Sequence, residues 1–214
     1  MKYILLCGTS SIQPPRQLTT VCGERIVDRT IRLLRQFGVD DIAITTTNAA
    51  FNDCDAQIIN YDSTGEWVNA FYPTDDPACY VFGDVFFSED AIKTIVETNT
   101  DDIEFFASAP PFPRCYIKPW AEPFAFKVVN QKHLRDSIET VKLYHKQHKW
   151  MRHPIAWELW QIIKGTTINC IDYHNYTAIN DYTCDVDEKD DAIRLEQTLS
   201  GVFFNTKNKQ LCDK

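Results

Sequence analysis

Apolar residues over the first hundred positions alternate between a strand rhythm and a helix rhythm. Lys2–Leu6 is a short apolar run closed by Cys7 and Gly8, the mark of a buried strand. Between Arg25 and Phe37, Val27, Ile31 and Leu34 recur at helical spacing, and Gly38 supplies the stop. Ile42–Thr46 is β-branched and strand-like, and Gln57–Ile59 and Tyr80–Phe82 read as two further strands. Between those two, Asp62, Ser63 or Thr64 is placed to cap a helix running through Trp67 and Phe71. Glu89–Glu97 then predicts a helix with Ile92, Ile95 and Val96 inward. This βαβ succession predicts an α/β fold, a mostly parallel sheet covered by helices on both faces.

The second half changes texture. Glu104–Ala107 and Phe124–Val129 read as strands around a proline-rich loop at Pro110–Pro113. Leu134, Ile138 and Val141 mark one face of a helix from Gln131 to about His148, and a second helix over Ala156–Ile163 ends at Gly165. Lys189–Leu199 closes the chain, with Ile193, Glu196 and Leu199 in helical register. No repeat, low-complexity segment or linker interrupts the chain, so residues 1–214 are read as one domain.

Composition narrows the function classes. With 44% hydrophobic and 24% charged residues the chain is neither disordered nor fibrous, and a net charge of −8 builds in no attraction to a polyanion. A nucleic-acid or acidic-membrane binder is therefore not expected. The eight cysteines form no C-x-x-C pair and no zinc spacing, and read as reduced thiols. The apolar run at the N-terminus is far shorter than a signal peptide's, and no stretch approaches the roughly 20 apolar residues that span a bilayer. A cytoplasmic protein is expected.

In an open parallel sheet, ligands bind beyond the carboxyl ends of the strands. That rule selects Cys7–Leu18, after the first strand, and Gly83-Asp84, directly after Tyr80–Phe82. An aspartate there can offer a carboxylate to a divalent cation, or can cap the next turn. The order Ile4-Leu5-Leu6-Cys7-Gly8, Pro15-Arg16-Gln17-Leu18, Val21-Cys22-Gly23-Glu24-Arg25-Ile26, a helix, and Gly38-Val39-Asp40-Asp41-Ile42 resembles the opening of the nucleotidyltransferases. Their pattern is L-A-A-G-x-G-x-R, P-K-x-L, a later G-x-P-L-I, and G-I-x-D-I. Asp84 falls where that family keeps a magnesium-binding aspartate. Cys184-Asp185-Val186-Asp187-Glu188-Lys189-Asp190-Asp191 resembles its closing D-I-D-x-x-x-D, most of all in the phosphocholine and other small-molecule-phosphate cytidylyltransferases.

The resemblance implies a Rossmann-like nucleotide-diphospho-sugar transferase architecture, with a nucleotide-binding half over 1–100 and an acceptor half with the closing helix over 101–214. It also implies an EC 2.7.7 type enzyme that transfers CMP from CTP, or another NTP's nucleotidyl group, to a small phosphorylated alcohol or amine for surface-polymer assembly. A sugar-1-phosphate nucleotidyltransferase, or a noncatalytic nucleotide binder, is the alternative, and a homodimer is left open as a partner. Leu6, Cys7, Gly8, Thr9, Ser10, Arg16, Ser63, Thr64, Gly65 and Gly83 would line the nucleotide, and Asp84 with Asp185 or Asp187 would hold Mg2+. Arg16 and Lys118 would neutralise phosphates, while Trp120, Glu122, Trp157 and Glu158 would meet the acceptor. For Trp120 and Trp157 the core is the other reading, and for Asp185–Asp191 it is an acidic helix cap.

Two departures bear on the chemistry. The loop Gly8-Thr9-Ser10-Ser11-Ile12-Gln13-Pro14 has one glycine and no arginine, and Arg16 stands at the family lysine, exchanging a point charge for a planar fork. Nucleotidyl transfer itself asks little of the protein. The attacking phosphate is already anionic at pH 7, so no general base is needed, and the obstacle is repulsion between polyanions.

Overall fold

The computed structural model describes residues 1–8, 14–63, 67–108, 122–148, 156–168 and 173–212. The strand rhythm of the sequence becomes β1 (Lys2–Leu6), β4 (Ile42–Thr46), β5 (Gln57–Asn60), β6 (Ala78–Phe82), β8 (Ile103–Ala107), β9 (Pro123–Val128) and β10 (Thr177–Ala178). These seven strands form one sheet in the order β10-β8-β9-β6-β1-β4-β5. Strand β1 is parallel to β4 and β6, β5 to β4 and β10 to β8, whereas β9 runs antiparallel between β6 and β8. The expected mostly parallel sheet is therefore present, with one reversed strand, β9.

The two-residue alternation of β1 sorts the core into two layers. Tyr3, Leu5 and Cys7 pack with Val27, Ile31 and Leu34 of α1 (Ile26–Gln36) and Ala91, Ile92 and Ile95 of α2 (Glu89–Glu97). Ile4 and Leu6 point the other way, to Leu134, Ile138 and Val141 of α3 (Gln131–His148) and to Trp157, Leu159 and Trp160 of α4 (Ala156–Ile163). Each fully buried side chain of this kind contributes roughly 1.5–3 kcal/mol. Helix α1 ends as its sequence predicts, with Gly38 N–H bonded to the Arg35 carbonyl at 3.0 Å and Val39 N–H to that of Leu34 at 3.1 Å. Ser88 caps α2 by accepting the Ala91 N–H at 2.9 Å.

Two minor sheets of two strands each accompany the main one among the described residues. The hairpin β2 (Thr20–Val21) and β3 (Glu24–Arg25) turns through Cys22 and Gly23, both at positive φ. Strand β7 (Val85–Phe86) pairs antiparallel with β11 (Cys184–Asp185). Val21, Ile26, Phe86, Cys184 and Val186 join Ala192, Leu195 and Leu199 of α5 (Lys189–Cys212) in a third apolar cluster.

Three expectations are corrected. Among the described residues, the segment through Trp67 and Phe71 forms only a four-residue 3-10 helix, Trp67–Ala70, instead of an α-helix. Pro73 disfavours helical geometry at Tyr72, and the Asn69 carbonyl accepts the Tyr61 hydroxyl at 2.9 Å. The inward face of α5 is Ala192, Leu195 and Leu199, one position away from Ile193, which is 43% exposed. Glu196 lies on the flank, where its carboxylate accepts the Cys22 N–H at 2.7 Å. The helix also continues past Leu199, to Cys212. No described helix is long and apolar enough to cross a membrane, and Cys7, Cys22, Cys54, Cys79 and Cys184 are free thiols.

Candidate active site at the carboxyl ends of the central strands

Strands β1 and β6 are neighbours in register, so the segments that follow them emerge side by side. The Gly83 N–H donates to the Leu6 carbonyl at 3.2 Å, which leaves almost no space between the two backbones. A Cβ at Gly83 would lie 2.5 Å from Cys7 Sγ, 2.8 Å from the Leu6 carbonyl oxygen and 3.1 Å from Gln17 Cγ. The Leu6 carbonyl belongs to a central strand and cannot yield. Gly83→Ala is therefore expected to cost about 1–3 kcal/mol by overpacking, so that melting curves show a lower midpoint. Gly8 is less constrained, since a Cβ there would meet Ser63 Oγ, the end of a side chain that can rotate away. Gly8, Ser63 and Gly83 thus bring together the ends of β1, β5 and β6.

Asp84 occupies the turn between β6 and β7. The pairing of β7 with β11 sets Asp185 opposite Val85, and the Val186 N–H donates to the Asp84 carbonyl at 2.8 Å. Residues a hundred positions apart thereby meet. The consequence is electrostatic: burial pushes the Asp84 carboxyl up to about 6, the charges of Asp185 and Asp187 push in the same direction, and Arg16 opposes them. Arg16 Nη1 donates to Asp187 Oδ1 at 2.7 Å. Asp187 is held from behind by Asp191, whose Oδ2 accepts the N–H groups of Asp187 at 3.1 Å and Glu188 at 3.0 Å. Burial, then the negative charge of Asp84, raises the Cys7 thiol well above its ordinary value, so Cys7 stays neutral and is no thiolate ligand.

Arg16 and Gln17 sit on a 3-10 turn, Arg16–Leu18. Both carry a buried polar atom with no partner, the donor Nε of Arg16 and the acceptor Oε1 of Gln17. Unpaired buried groups of this kind are costly in a finished structure and mark a place where a polar ligand belongs. Sequence reasoning gave Gln17 no role; its position beside Arg16 in Pro15-Arg16-Gln17-Leu18 was the available signal. For Asp191, at the end of the motif that contains Asp185 and Asp187, the sequence offered an acidic cap at the start of the last helix, and its bonds to the Asp187 and Glu188 N–H groups lie at that start.

The donor set fits magnesium. Three carboxylates supply hard oxygens, and magnesium characteristically takes one or two of them and completes its shell with water and substrate phosphate. Among the described residues no group of three His, Cys, Asp or Glu side chains could hold a metal ion by itself.

Glu122 joins the ends of β8 and β9, donating its N–H to Ser108 Oγ at 2.8 Å and accepting the Ser108 N–H at its carbonyl at 2.9 Å. Its side chain is buried, as is that of Glu158 in the first turn of α4. Trp157 lies in the core, in edge-to-face contact with Phe105, Tyr173 and Tyr176. Thr9, Ser10, Thr64, Gly65, Lys118 and Trp120 lie outside the described residues.

No family model matches the chain, and no curated protein matches it in sequence. Solved structures do. The inositol-1-phosphate CTP transferase of Thermotoga maritima superposes with a TM-score of 0.55 at 12% identity, covering 91% of this chain and 94% of its own. The CTP:phosphocholine cytidylyltransferase of Streptococcus pneumoniae gives 0.51 at 13%, covering 92% and 98%. The fold is that of the nucleotidyltransferases. A Bacillus anthracis protein assigned as a glucose-1-phosphate thymidylyltransferase shares this nucleotidyltransferase fold, with a TM-score of 0.55 at 14% identity over 92% of this chain and 94% of its own.

Proposed function

We propose that this chain is a magnesium-dependent nucleotidyltransferase that joins CMP from CTP to a small phosphorylated alcohol or amine and releases pyrophosphate, an activation step that serves surface-polymer assembly. The observation that carries the proposal is the meeting of Asp84 with Asp185, Asp187 and Arg16 beyond the carboxyl ends of the central strands. Two of the three superposing proteins are named for CTP, which favours cytidine as the base.

Asp84 and one or both of Asp185 and Asp187 would hold the ion. When bound, magnesium supplies positive charge shared with the triphosphate, which lowers the repulsion met by an incoming phosphate. The residues of the chain do the rest. Gly8 and Gly83 let backbone approach the nucleotide closely, and Arg16 offers a planar fork of donors to phosphate oxygens. Lys118 would neutralise the acceptor phosphate. An acceptor phosphate oxygen attacks the α-phosphorus in line, the bond to the bridging oxygen breaks, and pyrophosphate leaves with that electron pair. No proton needs to be removed from the nucleophile, so the site requires no general base.

The test is a melting-temperature panel of the four NTPs with magnesium, followed by pyrophosphate release with phosphorylated alcohols, amines and sugars. CTP is expected to stabilise most, by about 2.7 kcal/mol at a concentration ~100 times its dissociation constant. Equal shifts for all four NTPs would remove the base assignment. Turnover only with a sugar 1-phosphate would reassign the acceptor, and nucleotide binding without any turnover would make the chain a binder.

A further inference from the structure

We infer that Arg16 serves this site twice: without metal it is the counter-ion of the acidic cluster, and it thereby makes tight metal binding conditional on the nucleotide that draws it away. The inference rests on the nucleotide site proposed above and concerns how that site is switched.

The argument begins with the position of the guanidinium. Arg16 Nη1 lies 2.7 Å from Asp187 Oδ1, a charge-assisted bond to one of the carboxylates that would face a cation. The cluster of Asp84, Asp185 and Asp187 therefore already contains one positive charge. A divalent ion arriving alone meets that charge at close range, and like charges in a partly desolvated site repel strongly. The ion gains Asp187 only where Arg16 leaves.

Arg16 is also poised to leave. Its Nε is buried without a partner, so the fork is incompletely satisfied by Asp187. Only the side chain has to move, because the 3-10 turn is fixed by its own backbone, with Leu18 N–H bonded to the Pro15 carbonyl at 3.0 Å and Thr19 N–H to that of Arg16 at 2.9 Å. Asp187 stays in place, since Asp191 holds its N–H at 3.1 Å. A triphosphate presents several anionic oxygens to a planar fork and is the stronger partner. Nucleotide takes the guanidinium, Asp187 is freed, and metal follows. Metal and nucleotide must then raise each other's affinity by the same factor.

The experiment measures Mn2+ binding by electron paramagnetic resonance of the free ion, with and without CTP, in wild-type protein, Arg16→Met and Arg16→Gln. Arg16→Gln retains a hydrogen bond to Asp187 without the charge, so it keeps the site assembled if Arg16→Met does not fold. Wild type is expected to bind Mn2+ weakly alone and tightly with CTP. In both variants Mn2+ alone should bind about tenfold more tightly than in wild type, while the mutual enhancement by CTP shrinks by a similar factor. Unchanged or weaker binding of Mn2+ alone in the variants, with wild type still binding Mn2+ and CTP together, would overturn this inference and leave the proposed function standing. Wild type binding neither Mn2+ nor CTP in any combination would overturn both.

Discussion

Replacing Asp84 by Asn is expected to abolish pyrophosphate release while raising the melting temperature of the nucleotide-free protein. The carboxyl of Asp84 is pushed up to about 6 by burial first and by Asp185 next, so the folded protein binds this proton more tightly than the unfolded chain does. The group's stability contribution is thus fully present below the unfolded value near 3.8 and is lost as pH rises through about 6. At pH 7 the charge is a liability, and Asn removes it at nearly constant shape. The Asp84 carbonyl keeps its bond from Val186 N–H, because that bond is made by the backbone. The expected gain is on the order of 1–2 kcal/mol at pH 7, a rise of several degrees for a chain of this size. It should shrink at pH 5 and vanish below pH 4, where the wild-type group is protonated. Turnover should fall at least about 10³-fold, as when a charge-stabilising group is removed from a transition state. Melting curves at pH 4, 5 and 7 together with a pyrophosphate assay at pH 7 decide the matter. Wild-type turnover in this variant would take the metal site out of the account, and wild-type turnover with an unchanged melting temperature would show Asp84 to be a turn cap, since Asn caps as well as Asp.

Where side chains repeat over many residues, the chain stated its own structure. Helices α2, α3 and α4 have the boundaries that periodicity predicts, because each presents two or more turns of apolar spacing to one layer of the core. Strand β1 was legible for the same reason. Two-residue strands hold no period, so β7 and β11 could not be read from their residues, although their pairing assembles the candidate site. Asp84 was found from its place after a buried strand and then, with Asp187, through resemblance to a family's motifs; the structure adds the electrostatic coupling between them. The register of α5 slipped for a different reason. Ile193 is the larger apolar side chain, but the helix start is fixed by Asp191 receiving the N–H groups of Asp187 and Glu188, and that start turns Ala192 and Leu195 inward. A polar contact decided what hydrophobicity alone left open.

Trp157→Ala is expected to destabilise the protein by about 3–5 kcal/mol, the range for deleting a buried Trp. Trp157 is 1% exposed, and its ring meets those of Phe105, Tyr173 and Tyr176 edge to face, with centroids at 4.9, 4.8 and 4.8 Å. Such pairs add about 0.5–1.5 kcal/mol beyond the area they bury. The contacts join α4 to β8 and to the segment before β10, so the cavity left by Ala would open between three elements. Trp157→Phe keeps most of the volume and should cost less than half as much. The pair of variants also separates packing from substrate contact, which a single deletion would confound. A ring that serves the core lowers the melting temperature in both variants and leaves the KM of the acceptor within about twofold in Trp157→Phe, because loss of packing changes folded population more than the pocket of molecules that remain folded. A ring that packs on a cationic acceptor raises that KM sharply in Trp157→Phe with little change in melting temperature, since a phenyl face attracts a cation less than an indole does. Melting temperature and acceptor KM measured on Trp157→Phe therefore assign the residue to one layer of the molecule or the other.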